Sequence, residues 1–174
     1  MKPSYLVRGQ PGHPTHPPLT DATIGIYTFA TIAAVLSALG VSEENTATAW
    51  WLGLIVGLAT TAVTSTTGLI DWLGIPRGTP LWRTATSHMI AMLSATAVFL
   101  LTAIVGHGSY VDDEVGAGSL ILTLIGFGLL TLGGWLGGTI VFVHGMRVLN
   151  LVDEPAARAS SPVPSAEEER AEKV

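Results

Sequence analysis

Four apolar stretches, each about the length of a membrane-crossing helix, constrain this chain more than any other feature. They run over 22–40 (ATIGIYTFATIAAVLSALG), 48–73 (TAWWLGLIVGLATTAVTSTTGLIDWL), 84–106 (TATSHMIAMLSATAVFLLTAIVG) and 117–146 (AGSLILTLIGFGLLTLGGWLGGTIVFVHGM). A helix needs about 20 residues to cross the hydrocarbon, a barrel strand only about 9–11. In lipid only helices and closed barrels satisfy every backbone polar group. Stretches this long exclude strands, so the expected fold is all-α: an integral membrane four-helix bundle.

Composition agrees. Of 174 residues 48% are hydrophobic and only 12% charged, about half the charge density of a soluble domain. Cysteine is absent, which excludes a disulfide, an iron–sulfur cluster or any thiolate site within the chain. The net charge of −5 comes largely from the end of the chain, AEEERAEKV. No basic patch suits nucleic acid. The segment MKPSYLVRGQPGHPTHPP is interrupted by Pro and Gly before any apolar stretch forms, so it does not read as a cleaved signal. Residues 150–174, rich in Pro, Ser, Ala and Glu, cannot bury a core and are expected to form a disordered acidic tail. The domain division is therefore a Pro/His-rich segment over 1–21, a transmembrane unit over 22–149, and the tail.

The loops set an orientation. Residues 41–47 (VSEENTA) and 107–116 (HGSYVDDEVG) contain acids but no Lys or Arg. All eight basic residues fall on the other side of the spans, among them Arg8, Arg77, Arg83 and Arg147. The positive-inside rule places both termini in the cytoplasm of a multi-pass protein. Trp50, Trp51 and Tyr110 are then expected in an outer aromatic belt, and Trp72 and Trp82 in an inner one.

That topology gathers the ionisable groups. Of five histidines, His13, His16, His88 and His144 lie towards the cytoplasmic side, with Asp71, the one acid inside a span. Thr60, Thr64, Thr67 and Asp71 share one helical face, as do Gly126, Gly133, Gly137 and His144, and His88, Met92, Ala95 and Phe99. A glycine stripe admits a neighbouring helix or a flat cofactor close to the backbone. The plain alternatives are helix packing for the glycines and threonines, an ion pair of Asp71 with Arg77 or Arg83, and a stiff polyproline lead-in for HPTHPP. An ionisable group within the membrane is a functional hypothesis by default.

The segments HPTHPPL…IGIYTF, TGLIDWLGIP, SHMIAMLSATAVFLL and GGWLGGTIVFVHG resemble a bacterial four-helix membrane domain family, domain of unknown function 2231, over roughly residues 9–149. The resemblance implies a small domain of the bacterial inner membrane. In some relatives it precedes a Rieske iron–sulfur domain, which implies redox company.

Two readings from different classes follow. In the first, the protein is a haem- or metal-binding accessory protein of membrane electron transfer. His88 and His144 would hold a haem b iron from facing helices. Alternatively His13, His16, Asp71, His88 and His144 would supply the ligands of a divalent ion, or Asp71 would fix a histidine tautomer. In the second, it is a non-catalytic structural subunit without a cofactor. The expected partners are the lipid bilayer and either a larger redox complex or a second copy. No histidine stands beside a nucleophile motif, so an enzyme acting alone is not indicated.

Overall fold

The computed structural model describes residues 5–10, 12–149, 153 and 155–160. A one-turn helix α1 (Tyr5–Arg8) leads into a small antiparallel hairpin of β1 (Gly9–Gln10) and β2 (His13–Pro14). Four long helices follow: α2 (His16–Ala38), α3 (Glu43–Leu73), α4 (Pro80–Val105) and α6 (Ala117–Gly138). The short α5 (His107–Val111) fills the turn between α4 and α6. A π-helical turn over Thr139–Val143 extends α6, and α7 (Ala156–Ala159) is a further single turn. Of the acidic tail expected over 150–174, residues 153 and 155–160 are described, and α7 lies among them; the rest falls outside the described residues.

All four long helices are long and apolar enough to cross a membrane. Their boundaries follow from local chemistry. The first helix starts six residues before the apolar stretch, at His16, and Pro17 and Pro18 occupy its first turn. Proline is tolerated there because first-turn N–H groups have no intrahelical acceptor. The stiff polyproline lead-in, the plain alternative for HPTHPP, does not form: His13 and Pro14 are in β2, and His16, Pro17 and Pro18 are in α2. The third long helix is capped by Thr79, whose hydroxyl accepts from the Trp82 amide at 3.1 Å, with Pro80 next in line. Glu43 and Glu44 sit in the first turn of α3, where carboxylates favour the dipole.

The helices α2 and α3 pack as one close pair and α4 and α6 as another, with looser contact between the pairs. Tyr27, Phe99, Trp50, Leu54 and Leu130 are the large side chains at the centre. Large apolar side chains elsewhere point outward, among them Phe29, Ile104 and Phe142, as a lipid-facing surface requires. Buried threonine hydroxyls are satisfied inside their own helices: Thr23, Thr31, Thr61, Thr102 and Thr123 each donate to the carbonyl four residues earlier, which removes the cost of an unpaired donor in an apolar medium; the buried Ser37 hydroxyl has no partner among the described residues.

The two pairs repeat each other's contacts. Tyr27 of α2 covers Gly57 of α3, where an added Cβ would fall 2.5 Å from the ring, and Phe99 of α4 covers Gly126 of α6 at 2.7 Å. His16 lies against Gly68, and His88 against Gly137. Eleven residues separate His16 from Tyr27, and eleven separate His88 from Phe99. Gly57, Thr64 and Gly68 are matched at identical spacing by Gly126, Gly133 and Gly137. The chain is thus built from two similar helical hairpins.

Trp50 departs from the expected belt. It is fully buried, and its indole N–H donates to Thr123 at 3.0 Å. Trp51 instead stacks on Tyr110 with ring centres 4.6 Å apart, while Trp72 and Trp82 lie 6.0 Å apart at the opposite end.

Candidate functional site

The two hairpins bring two imidazoles together edge to face. Ring centres of His16 and His88 are 6.5 Å apart, with planes at 80°. Both rings are anchored through the same atom. His16 Nδ1 donates to the Thr64 carbonyl at 3.1 Å, with the Thr67 hydroxyl at 3.2 Å. His88 Nδ1 donates to the Gly133 carbonyl at 2.8 Å. A carbonyl can only accept, so Nδ1 carries the proton and Nε2 of the neutral ring keeps a free lone pair. Among the described residues His88 Nε2 makes no hydrogen bond, and His16 Nε2 has only the Thr20 hydroxyl at 3.5 Å. That hydroxyl already donates to the His16 carbonyl at 3.1 Å.

Helical periodicity explains the approach. Gly68 stands one turn after Thr64, and an added Cβ there would fall 2.6 Å from His16 Cε1. Only a residue without a side chain lets the imidazole lie on the α3 backbone. On α6, Gly133 and Gly137 do the same for Met92 and His88: an added Cβ would come within 2.4 Å of Met92 Sδ and 3.3 Å of His88 Cε1. The two faces read from the sequence, His88–Met92–Ala95–Phe99 and Gly126–Gly133–Gly137, are the two sides of one contact.

The pair opens into a cavity of about 520 Å³ that all four long helices line, within the range of about 300–1,000 Å³ common for small-molecule and cofactor sites. Ile24, Met89, Met92 and Val141 form apolar walls, and Asp21, Asp71 and Arg147 are the charged residues on its lining. Asp71 pairs with Arg147, not with Arg77 or Arg83 as the sequence suggested. The Asp71 side chain is 9% exposed and that of Arg147 32%.

The remaining expected ligands do not join this pair. His13 is exposed on β2. His144 Nε2 lies 3.0 Å from the Thr84 hydroxyl, and His144 does not line the cavity. The π-helical turn accounts for this. In a regular helix His144 would fall on the face of Gly137, but the wider turn over Thr139–Val143 shifts the phase of everything after it. Among the described residues no three of His, Cys, Asp and Glu stand together as a metal-ligand set. The five-residue ion site of His13, His16, Asp71, His88 and His144 is therefore not assembled, and the partner facing His88 is His16 in place of His144. The repeated His–aromatic spacing of eleven residues was the signal in the sequence that singles out this pair.

Residues 12–150 match the family described as predicted membrane protein, DUF2231. The chain belongs to this family. No curated protein and no solved structure matches it. The DUF2231 match spans all four long helices and includes both facing histidines, Asp71 and Arg147. A membrane protein with lipid-facing apolar helices is what the family description and the helices together support.

Proposed function

We propose that the chain is a haem b-binding electron carrier of the bacterial inner membrane, in which His16 and His88 would hold the iron. The observation that carries this reading is the facing pair. Two imidazoles bound in line to one metal at about 2.0–2.1 Å each have ring centres roughly 6 Å apart, and the observed separation is 6.5 Å. Among the described residues no three of His, Cys, Asp and Glu stand together to hold a bare ion, whereas a porphyrin would bring four nitrogens of its own. Haem therefore fits the donor set better than a divalent cation does.

Each part of the chain has a task in this reading. The Thr64 and Gly133 carbonyls hold the imidazoles in the tautomer that presents Nε2, as backbone partners do for metal-bound histidines. Gly68 and Gly137, with Gly134 and Gly138 on the cavity wall, leave room for a flat ring near the backbone. The apolar walls exclude water, which tunes a bound redox centre. When bound, haem supplies a one-electron couple; the chain positions it and gives it an environment.

Orientation supports the same picture. In this reading the contacting pairs His16 and Gly68, His88 and Gly137, and Asp71 and Arg147 lie with Arg77 and Arg83 at one end of a four-helix bundle. Glu43, Glu44, Asp112, Asp113 and Glu114 lie at the other. The positive-inside rule makes the histidine end cytoplasmic, with both termini inside. Electron exchange then occurs near the inner leaflet, with a larger redox complex or a second copy as partner.

A structural module is the second reading. It is favoured by the same Nδ1 bonds, which tie α2 to α3 and α4 to α6 without any cofactor. The visible spectrum of the protein purified in detergent separates the two. A Soret band with resolved α and β bands on reduction supports the haem carrier. A protein that stays colourless, and takes up no haem when it is added, leaves the structural module.

A further inference from the structure

At the cavity edge the chain makes an unusual turn. After the π-helical turn, Gly145 has φ +66° and Arg147 has φ +64°, a conformation that glycine adopts easily and arginine seldom does. The reversal is held by backbone bonds from the Met146 amide to the Ile140 carbonyl at 3.2 Å and from the Val148 amide to the Gly145 carbonyl at 3.2 Å. It carries Arg147 back over the cavity, where its guanidinium meets Asp71. Non-glycine backbone in this region is costly and persists only where the surrounding structure holds it.

The pairing is one-sided. Asp71 is nearly enclosed, while Arg147 is about one-third exposed. A guanidinium has five donors in a planar fork and takes carboxylates in pairs of bonds. One Asp71 oxygen engages one terminal nitrogen of that fork, and Arg147 lines the cavity. Among the described residues Arg147 is the one cation on the cavity lining.

We infer that Arg147 is an anion clamp: it receives the carboxylate of the cavity ligand, and Asp71 is the resting partner that this carboxylate displaces or joins. The inference rests on the haem reading, in which the carboxylate is a haem propionate. A macrocycle held by His16 and His88 would need a cation for its propionates, and Arg147 is the one cation that the described cavity lining offers. Asp71 competes with the propionate for the same fork, so the two side chains have opposite effects on ligand affinity. An arginine that served only as an interfacial anchor would show no such opposition.

The experiment compares iron protoporphyrin IX with its dimethyl ester, which has the same ring and iron but no carboxylate charge. Both are titrated into the full chain in detergent and followed by the Soret band. The acid form is expected to bind at least about tenfold more tightly than the ester. Arg147→Gln is expected to abolish that preference, Arg147→Lys to keep part of it, and Asp71→Asn to increase affinity for the acid form. Equal binding of acid and ester by the native chain, or a preference that survives Arg147→Gln, overturns the clamp and leaves the haem site standing. Failure of both compounds to bind overturns the haem reading, and the clamp with it.

Discussion

Tyr27 stacks on Phe99 with ring centres 4.0 Å apart and planes within 8°. The two rings belong to equivalent positions of the two hairpins and meet where those hairpins join. Each also covers a glycine of its own partner helix, so the stack holds four helices at once. In lipid, where apolar burial itself brings little between helices, such close packing is what association depends on.

Phe99→Ala removes one side of the stack and opens a void beside Gly126. It should destabilise the protein by about 3–5 kcal/mol, read as a clear loss of thermal stability in detergent. Tyr27→Phe keeps the ring and loses only the bond between its hydroxyl and Thr61, 3.1 Å long, for a cost of about 1 kcal/mol. Equal effects of the two changes would contradict the central role of the stack.

Glycines divide into those that host a ring and those that do not. Gly68→Ala places a methyl group 2.6 Å from His16 Cε1 and should displace the imidazole, weakening haem uptake at least tenfold while the fold persists. Gly128 has open space around it, and Gly128→Ala should leave both stability and haem uptake unchanged. Matched effects at the two positions would show that the Gly68 contact does not position His16.

The absence of cysteine makes topology easy to read. Single cysteines at Glu44 and Asp112, both exposed, should be labelled from outside intact cells by a membrane-impermeant reagent. A cysteine at Gly78 should react only after the membrane is opened. The reverse pattern would invert the orientation.

The spans were legible because an apolar run of this length has few other uses, and the glycine face of α6 was legible from its spacing of seven and four residues. The helix start at His16 was harder. Two prolines look like a boundary, yet they fit the first turn as well as they fit an extended arm. The partner of His88 was misread for another reason. Depth along a helix is readable from residue counts, but the face presented at that depth depends on unbroken periodicity, and the π-helical turn before His144 breaks it. The repeat was obscured because its positions differ in identity: tyrosine matches phenylalanine, and Thr64 matches Gly133 through a carbonyl, a group that every residue carries.

Haem retention across four histidine variants tests the account most directly. His13→Ala, His16→Ala, His88→Ala and His144→Ala are each purified in detergent, and haem is quantified by the reduced visible spectrum against protein concentration. His16→Ala and His88→Ala should each lose the six-coordinate spectrum and most of the haem, while His13→Ala and His144→Ala keep native levels. Loss in His144→Ala with retention in His16→Ala would contradict the assignment, placing the second ligand on the far side of the π-helical turn.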